Sequence, residues 1–265
     1  MAITVKENLF IPQVVGDLIA TNYGKFITVS NYVPTDRNLV AKPGDTLTRN
    51  QYTYIGDAEV LDEAADATPV VLTSKTIEVK VEKIVKQVQL SDEAILSAAD
   101  DPYGQAAEQI AMAIALKDDA DCITALSGAT LTGSGSSLAT GIIAGLKALG
   151  EKALKQNVYV FCNSGDYFDM ISDFNNWIPA SQLAAEKVTA GVVGQYAGAL
   201  VIPTDTVEAG KPYLMIEGAL RKEMKKDFLV ENARNLTNYT NLISGAEHRV
   251  IYLADTTKAV AVTVA

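Results

Sequence analysis

Two alternating stretches, Thr46–Ile55 and Ile77–Leu90, flank an acidic segment, and this arrangement restricts the chain more than any other feature. The first stretch is rich in Thr and Tyr, which suits a strand. In the second, Ile77, Val79 and Val81 alternate with Glu78, Lys80 and Glu82, a period of two. Val88 and Leu90 fall on the opposite parity, so a phase slip is expected between 82 and 88, supplied by a β-bulge or local twist. Between the stretches, residues 57–66 hold Asp57, Glu59, Asp62, Glu63 and Asp66 and no basic residue, which reads as a solvated tip. The result is a long two-stranded projection, introduced by the turn signal Lys42-Pro-Gly-Asp45. An isolated ribbon is marginal in water, so its support must come from another surface.

The second constraint is a long helix. Asp101 before Pro102 places a capping side chain next to a residue suited to the first helical position. The helix is predicted to run to Leu126 and stop at Ser127-Gly128, roughly 37 Å at ~1.5 Å per residue. Ala106, Ile110, Ala113, Ile114 and Lys117 follow helical spacing, and the alanine content makes the helix slim enough to lie across a sheet. Ser91 or Asp92 caps a shorter helix through Ala98.

Further along, Ala129–Gly141, with its Gly-Ser-Gly-Ser-Ser run at 133–137, reads as a flexible connector. A helix over 140–155 leads to Val158–Cys162, a continuous apolar strand buried on both faces. Asn163-Ser-Gly165 turns into a helix from Asp166 to Ile171. Strands are predicted at Ala199–Ile202, ended by Pro203, and at Tyr213–Ile216. Arg249–Leu253 and Ala259–Val264 read as a terminal hairpin that pairs with the strands near 77–90. Residues 1–34 are an arm with a short amphipathic helix from Leu9 to Ile19, its start limited by Pro12. The class is α+β.

Composition removes several chemistries. Lys plus Arg is 22 and Asp plus Glu is 32, a net charge of −10, which argues against a nucleic-acid reader. One His (His248) and two Cys (Cys122, Cys162) leave too few ligands for a structural zinc and no disulfide scaffold. No metal or cofactor is expected. The start of the chain lacks a secretory pattern and no apolar run reaches membrane-spanning length, so a reducing, cytosol-like setting is expected.

Three motifs invite chemistry and lack parts of it. The Gly-rich run 133–137 has no phosphate-binding Lys. Cys162-Asn-Ser-Gly165 sits where a nucleophile elbow would lie but lacks Gly-x-Ser-x-Gly, so a hydrolase would need Ser164 with the distant His248. The simpler reading has Asn163 and Ser164 capping the next helix. An EF-hand counted from Asp57 fails at its sixth position, Asp62, where glycine is needed. Arg221, Lys222, Lys225 and Lys226 form a basic cluster, either a solvated surface or a partner for another copy's acidic tip.

The order of these parts resembles the major capsid proteins of tailed double-stranded DNA bacteriophages. That fold is shared by encapsulin compartments and is similar to herpesvirus capsid floors. Leu90-Ser-Asp-Glu-Ala94 followed by Asp101-Pro102 and the long helix resembles their spine-helix region. Gly191-Val-Val-Gly-Gln-Tyr-Ala-Gly-Ala-Leu-Val-Ile202 resembles their glycine-spaced turn into a strand, and 249–264 their terminal strands. The resemblance implies an N-terminal arm (1–34), an extended β-hairpin loop (35–75) and a peripheral domain with the long spine helix (76–140). It further implies an inserted α/β axial domain (141–235) and terminal peripheral strands (236–265).

The implied function is structural. The chain would self-assemble as a homo-oligomer into hexamers and pentamers of an icosahedral virion shell, built in the host cytoplasm. That shell would contact double-stranded DNA non-specifically. Portal, scaffolding or decoration proteins would be partners, and a membrane would not. The alternatives are an encapsulin-like compartment shell and, further off, a small α/β hydrolase. Neither a cross-linking signature nor a scaffolding or protease segment is carried over. The expected intersubunit contacts join Arg49, Tyr52, Tyr54, Asp57, Glu59, Asp62 and Glu63 of the ribbon to Arg221, Lys222, Lys225 and Lys226 of a neighbour. The acidic stretch 91–128 is expected to line the inner face and repel DNA.

Overall fold

Helix α3 (Pro102–Leu126) begins and ends where the caps predict: the Asp101 carboxylate accepts the Tyr103 N–H at 3.1 Å, and Pro102 takes the first turn. This is a computed structural model, describing residues 21–40, 44–52, 54–61, 66–98, 100–171, 177–179 and 194–264. The amphipathic helix expected within 1–20, Lys42-Pro43, Asp62, Glu63 and the start of the glycine-spaced segment 191–202 lie outside the described residues.

In chain order, the helical residues 21–26 (α1) and a 3-10 turn (Ser30–Tyr32) lead to β1 (Thr35–Asp36). Next come β2 (Thr46–Tyr52), β3 (Ser74–Lys80), β4 (Glu82–Ser91), α2 (Asp92–Ser97) and α3. Then follow β5 (Leu131–Gly135), α4 (Leu138–Leu149), α5 (Glu151–Lys155), β6 (Val158–Cys162), α6 (Ser164–Ile171) and β7 (Trp177–Pro179). The chain closes with β8 (Gly194–Tyr196), β9 (Ala199–Pro203), β10 (Tyr213–Ile216), β11 (Leu220–Asn235), β12 (Thr240–Leu253) and β13 (Ala259–Val264).

Three sheets form. β2 and β3 make the antiparallel ribbon, from Thr46 opposite Lys80 to Tyr52 opposite Ser74. A four-stranded sheet runs β1-β11-β12-β4, and a seven-stranded sheet runs β5-β13-β10-β6-β9-β8-β7. The ribbon is therefore shorter than the stretch 46–90 suggested. At Val81, whose N–H donates to Asp45 O at 2.7 Å, the chain leaves the ribbon and enters the four-stranded sheet. The inward parity changes there, from Ile77 and Val79 to Ile84, Val88 and Leu90. A change of sheet supplies the phase slip, so no bulge between 82 and 88 is needed.

α3 lies across the four-stranded sheet. Ala106, Ala107, Ile110, Ala111 and Ile114 pack against Ile243, Ile84, Val88, Leu90, Phe228 and Val230. Small helical side chains permit a close approach, and Gly245 in β12 completes it. A Cβ there would lie 2.6 Å from Ile110 Cγ2 and 2.8 Å from Phe228 Cζ. The seven-stranded sheet is covered on both faces. Val158, Val160 and Val201 meet Leu138 and Ile142 of α4 and Met170 of α6, while Phe161, Leu200 and Ile202 meet Val29, Val33 and Leu126. That two-sided burial is what the uninterrupted apolar run 158–162 predicts.

Two expectations are corrected. First, 129–141 is not a flexible connector. Leu131–Gly135 pairs in parallel with β13, and Ser137 and Thr140 form a capping box that starts α4. The glycines serve packing: a Cβ on Gly135 would fall 2.3 Å from Gly141 N. Second, β12 and β13 do not form a hairpin. β12 pairs with β11 and β4, while β13 pairs with β10 and β5, after a turn in which Asp255 accepts the Thr257 N–H at 2.9 Å. The basic cluster near 221–226, for which the sequence offered no element, lies on a 16-residue strand, β11. Sheet membership thus cuts across the boundaries at 140 and 235: β11 joins β4 and β12, and both β5 and β13 join the unit containing β6.

Candidate assembly surfaces

The ribbon stands on a charged root. Arg221 Nη1 lies 2.6 Å from Asp36 Oδ2, and Arg49 bonds Glu223 and lies 3.6 Å from the same Asp36 oxygen. Lys225 donates to Gly44 O, and Lys80 lies 3.5 Å from Asp45. Arg49 and Arg221, expected at a neighbour, are thus engaged within their own chain. Sequence alone missed this because Asp36 and Glu223 are remote from Arg49 along the chain and Glu223 looks like a surface residue.

The far end of the ribbon is bare. Tyr52 and Tyr54 are exposed, and the Tyr54 hydroxyl donates to Asp57 Oδ1 at 2.7 Å. Neither Asp57 nor Glu59 meets a cation among the described residues, and Val60 beside them is 99% exposed. Val70, Val71 and Leu72 on the returning leg are exposed as well. Such apolar side chains on a projection without a core belong to surfaces that another molecule covers.

The predicted receiving residues divide. Lys222 is 5% exposed and its Nζ lies 2.5 Å from Asp118 Oδ2, so an incoming tip has no access to it. Lys226 is exposed and lies opposite His248, which in turn lies opposite Lys83. Partial burial and the charges of Lys83, Lys226 and Lys225 hold the His248 imidazole below its usual range. Lys226, His248 and Lys83 therefore form a row across three strands, its two lysines carrying the charge, which only the register of β11, β12 and β4 reveals.

Beneath the opposite face of that sheet is a buried charge cluster. Asp118 of α3 meets Lys222 of β11, Arg249 of β12 and the hydroxyl of Tyr23. Arg249 also lies 2.9 Å from Asp121 and 3.1 Å from Glu247, and Asp121 meets Lys117 at 2.6 Å. Asp119 accepts the N–H groups of Thr28, Val29 and Ser30 at 2.8, 3.0 and 2.8 Å. Burial alone would raise the Asp118 carboxyl, but Lys222 and Arg249 outweigh it and hold it below the carboxylate range. Burial, then the charge of Asp118, pushes Glu247 up to about 7. Two of the acids assigned to an inward-facing acidic helix, Asp118 and Asp119, are therefore interior groups. The available signal was spacing: Asp118 falls four residues after Ile114 and four before Cys122, on the apolar stripe.

The hydrolase parts do not assemble. Ser164 Oγ lies 2.5 Å from Asp205 Oδ1 and belongs to the end of the seven-stranded sheet, whereas His248 belongs to the four-stranded one. Asn163 Oδ1 accepts the Gly165 N–H at 2.9 Å, the capping role. Burial pushes the Cys162 thiol up to about 12, so it is no nucleophile.

The family model for phage capsid protein matches residues 74–262. The chain belongs to this family. The major capsid protein of Staphylococcus phage phiMR11 is 32% identical over 263 residues, 98% of this chain and 96% of that one. Among solved structures, the capsid of cyanophage P-SCSP1u superposes with a TM-score of 0.67 at 12% identity, covering 88% of this chain and 86% of its own. A virus-like particle from Pyrococcus furiosus gives 0.66 at 11% identity, covering 94% and 98%. These likenesses show the fold: the mixed helix and sheet architecture of phage capsid proteins. As a phage capsid family member the chain is structural, so the hydrolase alternative is set aside. The phage relative, alike in sequence over nearly its whole length, favours a virion shell over an encapsulin-like compartment. No helix among the described residues is long and apolar enough to cross a membrane.

Proposed function

We propose that this chain forms the hexamers and pentamers of an icosahedral shell that encloses double-stranded DNA. The observation that carries the reading is the 32% identity to a phage major capsid protein over almost the whole of both chains. In this reading α3 and the four-stranded sheet make the peripheral unit, the seven-stranded sheet makes the axial unit, and residues 1–34 are the arm. Assembly takes place in the host cytoplasm. The DNA contact is non-specific, and portal, scaffolding or decoration proteins join the same shell.

The ribbon supplies the intersubunit contact. From its root at Asp45 and Val81, seven paired residues at ~3.3 Å each carry Tyr52 roughly 20 Å outward, with the acidic tip beyond. The tip residues Tyr52, Tyr54, Asp57 and Glu59, with Asp62 and Glu63, seat on a neighbour's exposed cations. Of the four cations expected there, Lys226 is the most accessible, and Lys83, across the His248 rung, extends it. Arg49, Arg221, Lys222 and Lys225 hold the receiving sheet and ribbon root in place. Tip and receptor are different patches of one chain, so the contact is heterologous and closes into rings under rotation.

Size exclusion and negative-stain microscopy of the purified chain test this reading. Capsomers or closed particles are the expected result. A monodisperse monomer at every concentration refutes it, and particles filled with a cargo protein instead of DNA point to the compartment alternative.

A further inference from the structure

The buried cluster under the four-stranded sheet divides its cations unequally. Asp118 has two, Lys222 at 2.5 Å and Arg249, and it also accepts the Tyr23 hydroxyl. Asp121 meets both Arg249 and Lys117, whose ammonium reaches the solvent edge. Glu247, only 3% exposed, contacts a single cation among the described residues, Arg249 Nε at 3.1 Å, and that guanidinium already serves two other carboxylates. Every element packed here contributes. α3 brings Asp118, Asp119, Asp121 and Lys117; β11 brings Lys222; β12 brings Glu247 and Arg249. In register on β4, Ile84 lies opposite Glu247 and Glu82 opposite Arg249. Residues 21–33 bring Tyr23, whose ring lies 5.6 Å from Lys222 Nζ.

Those residues form a strap across α3, anchored in the core by Val29 and Val33 and tied to the helix by hydrogen bonds at two places. Tyr23 holds Asp118, and the Thr28, Val29 and Ser30 amides hold Asp119. The adjacent carboxylates Asp118 and Asp119 thus couple the charge cluster directly to the strap.

We propose that Glu247 is a proton-operated latch for the strap at residues 21–33, closing it onto α3 when protonated and loosening it when ionised. Protonated, Glu247 leaves the charges of Lys222 and Arg249 to Asp118. Ionised, it adds a further buried anion beside Asp118 and competes for Arg249. In a low-dielectric interior that repulsion is relieved by admitting water. The strap is the segment that meets the cluster through hydrogen bonds to both Asp118 and Asp119, so the strain is read at those ties. The Glu247 carboxyl, raised by burial and by Asp118 to about 7, puts the transition near neutrality. The inference is independent of the assembly reading, because it concerns contacts inside one chain.

Hydrogen exchange of the full-length protein tests it, read at the Thr28, Val29 and Ser30 amides and corrected for intrinsic chemistry. Between about pH 6 and pH 8 the opening constant of the wild type is expected to rise about tenfold, as for a carboxyl that opening returns to its ordinary value. Glu247→Gln should abolish that rise while the amides stay protected. Tyr23→Phe, which removes one tie and leaves Glu247 in place, should raise opening at both pH values and keep the pH dependence. A flat wild-type profile overturns the proposal, and so does a Glu247→Gln variant with an undiminished rise. Should Glu247→Gln fail to fold, the wild-type and Tyr23→Phe profiles decide, since a purely structural cluster gives no rise in either.

Discussion

Asp118 and Lys222 meet at 2.5 Å inside the protein although 104 positions separate them in the chain. The pair joins α3 to β11, and through Tyr23 and Arg249 it also ties the N-terminal strap and β12. Removing one partner of such a pair leaves a buried charge unpaired, at a cost of about 3–5 kcal/mol. Asp118→Ala is therefore expected to lower unfolding stability by that amount in denaturant titration. Loss comparable to an exposed pair, under about 1 kcal/mol, would show that the cluster is solvated.

Stability should also depend on pH in a defined direction. Glu247 rises from an ordinary 4.5 to about 7 on folding, so the native state binds the extra proton between those values. Stability from this group falls as pH climbs from about 4.5 to 7 and is level above that. The span corresponds to about 3 kcal/mol at most. Asp118 works oppositely, because its carboxyl is held below the ordinary value: its contribution is present above the ordinary carboxylate range and is lost as pH falls through the lowered value. Thermal melts of wild type and Glu247→Gln across this range are expected to diverge most at the alkaline end, with the variant the more stable there.

Close helix–strand contact makes a sharper claim about glycine. An Ala at position 135 places its Cβ against Gly141 backbone, 2.3 Å from N, and neither side can yield without moving α4 off the sheet. Gly135→Ala should cost about 1–3 kcal/mol by overpacking. At Gly24, in α1, an added Cβ would meet nothing within 4 Å, so Gly24→Ala should gain up to about 1 kcal/mol. Equal effects at the two sites in melting experiments would contradict this account of β5.

Reversing charge at the ribbon tip separates folding from assembly. Asp57→Lys with Glu59→Lys touches no cation among the described residues of the same chain, so the monomer should melt unchanged while capsomer formation in sedimentation is lost. Adding Lys83→Glu and Lys226→Glu should restore part of it. Undiminished assembly of the tip variant removes the proposed contact.

Local signals made much of this fold legible. Asp101-Pro102 and Ser127 bound α3, the alternation around Ile77 marks the ribbon, and Val158–Cys162 reads as a strand covered on both faces. Each of these signals acts within a few residues: a cap, a period, an apolar run. Tertiary structure alone decided which strands share a sheet. β5, hidden in a Gly-Ser run, and β13, read as half of a hairpin, join one sheet, while β11 joins the other. Strand pairing is settled by partners far along the chain, and small residues chosen for close packing look the same as residues chosen for flexibility. The candidate surfaces follow the same division. The acidic tip was visible as composition, but the fate of each basic residue was not. Lys222 and Lys226 are four positions apart and look alike, yet one is buried on Asp118 and the other faces solvent beside His248. A charge can enter the interior only where its counter-charge arrives with it, and only the folded chain brings Asp118, Lys222, Glu247 and Arg249 to one place.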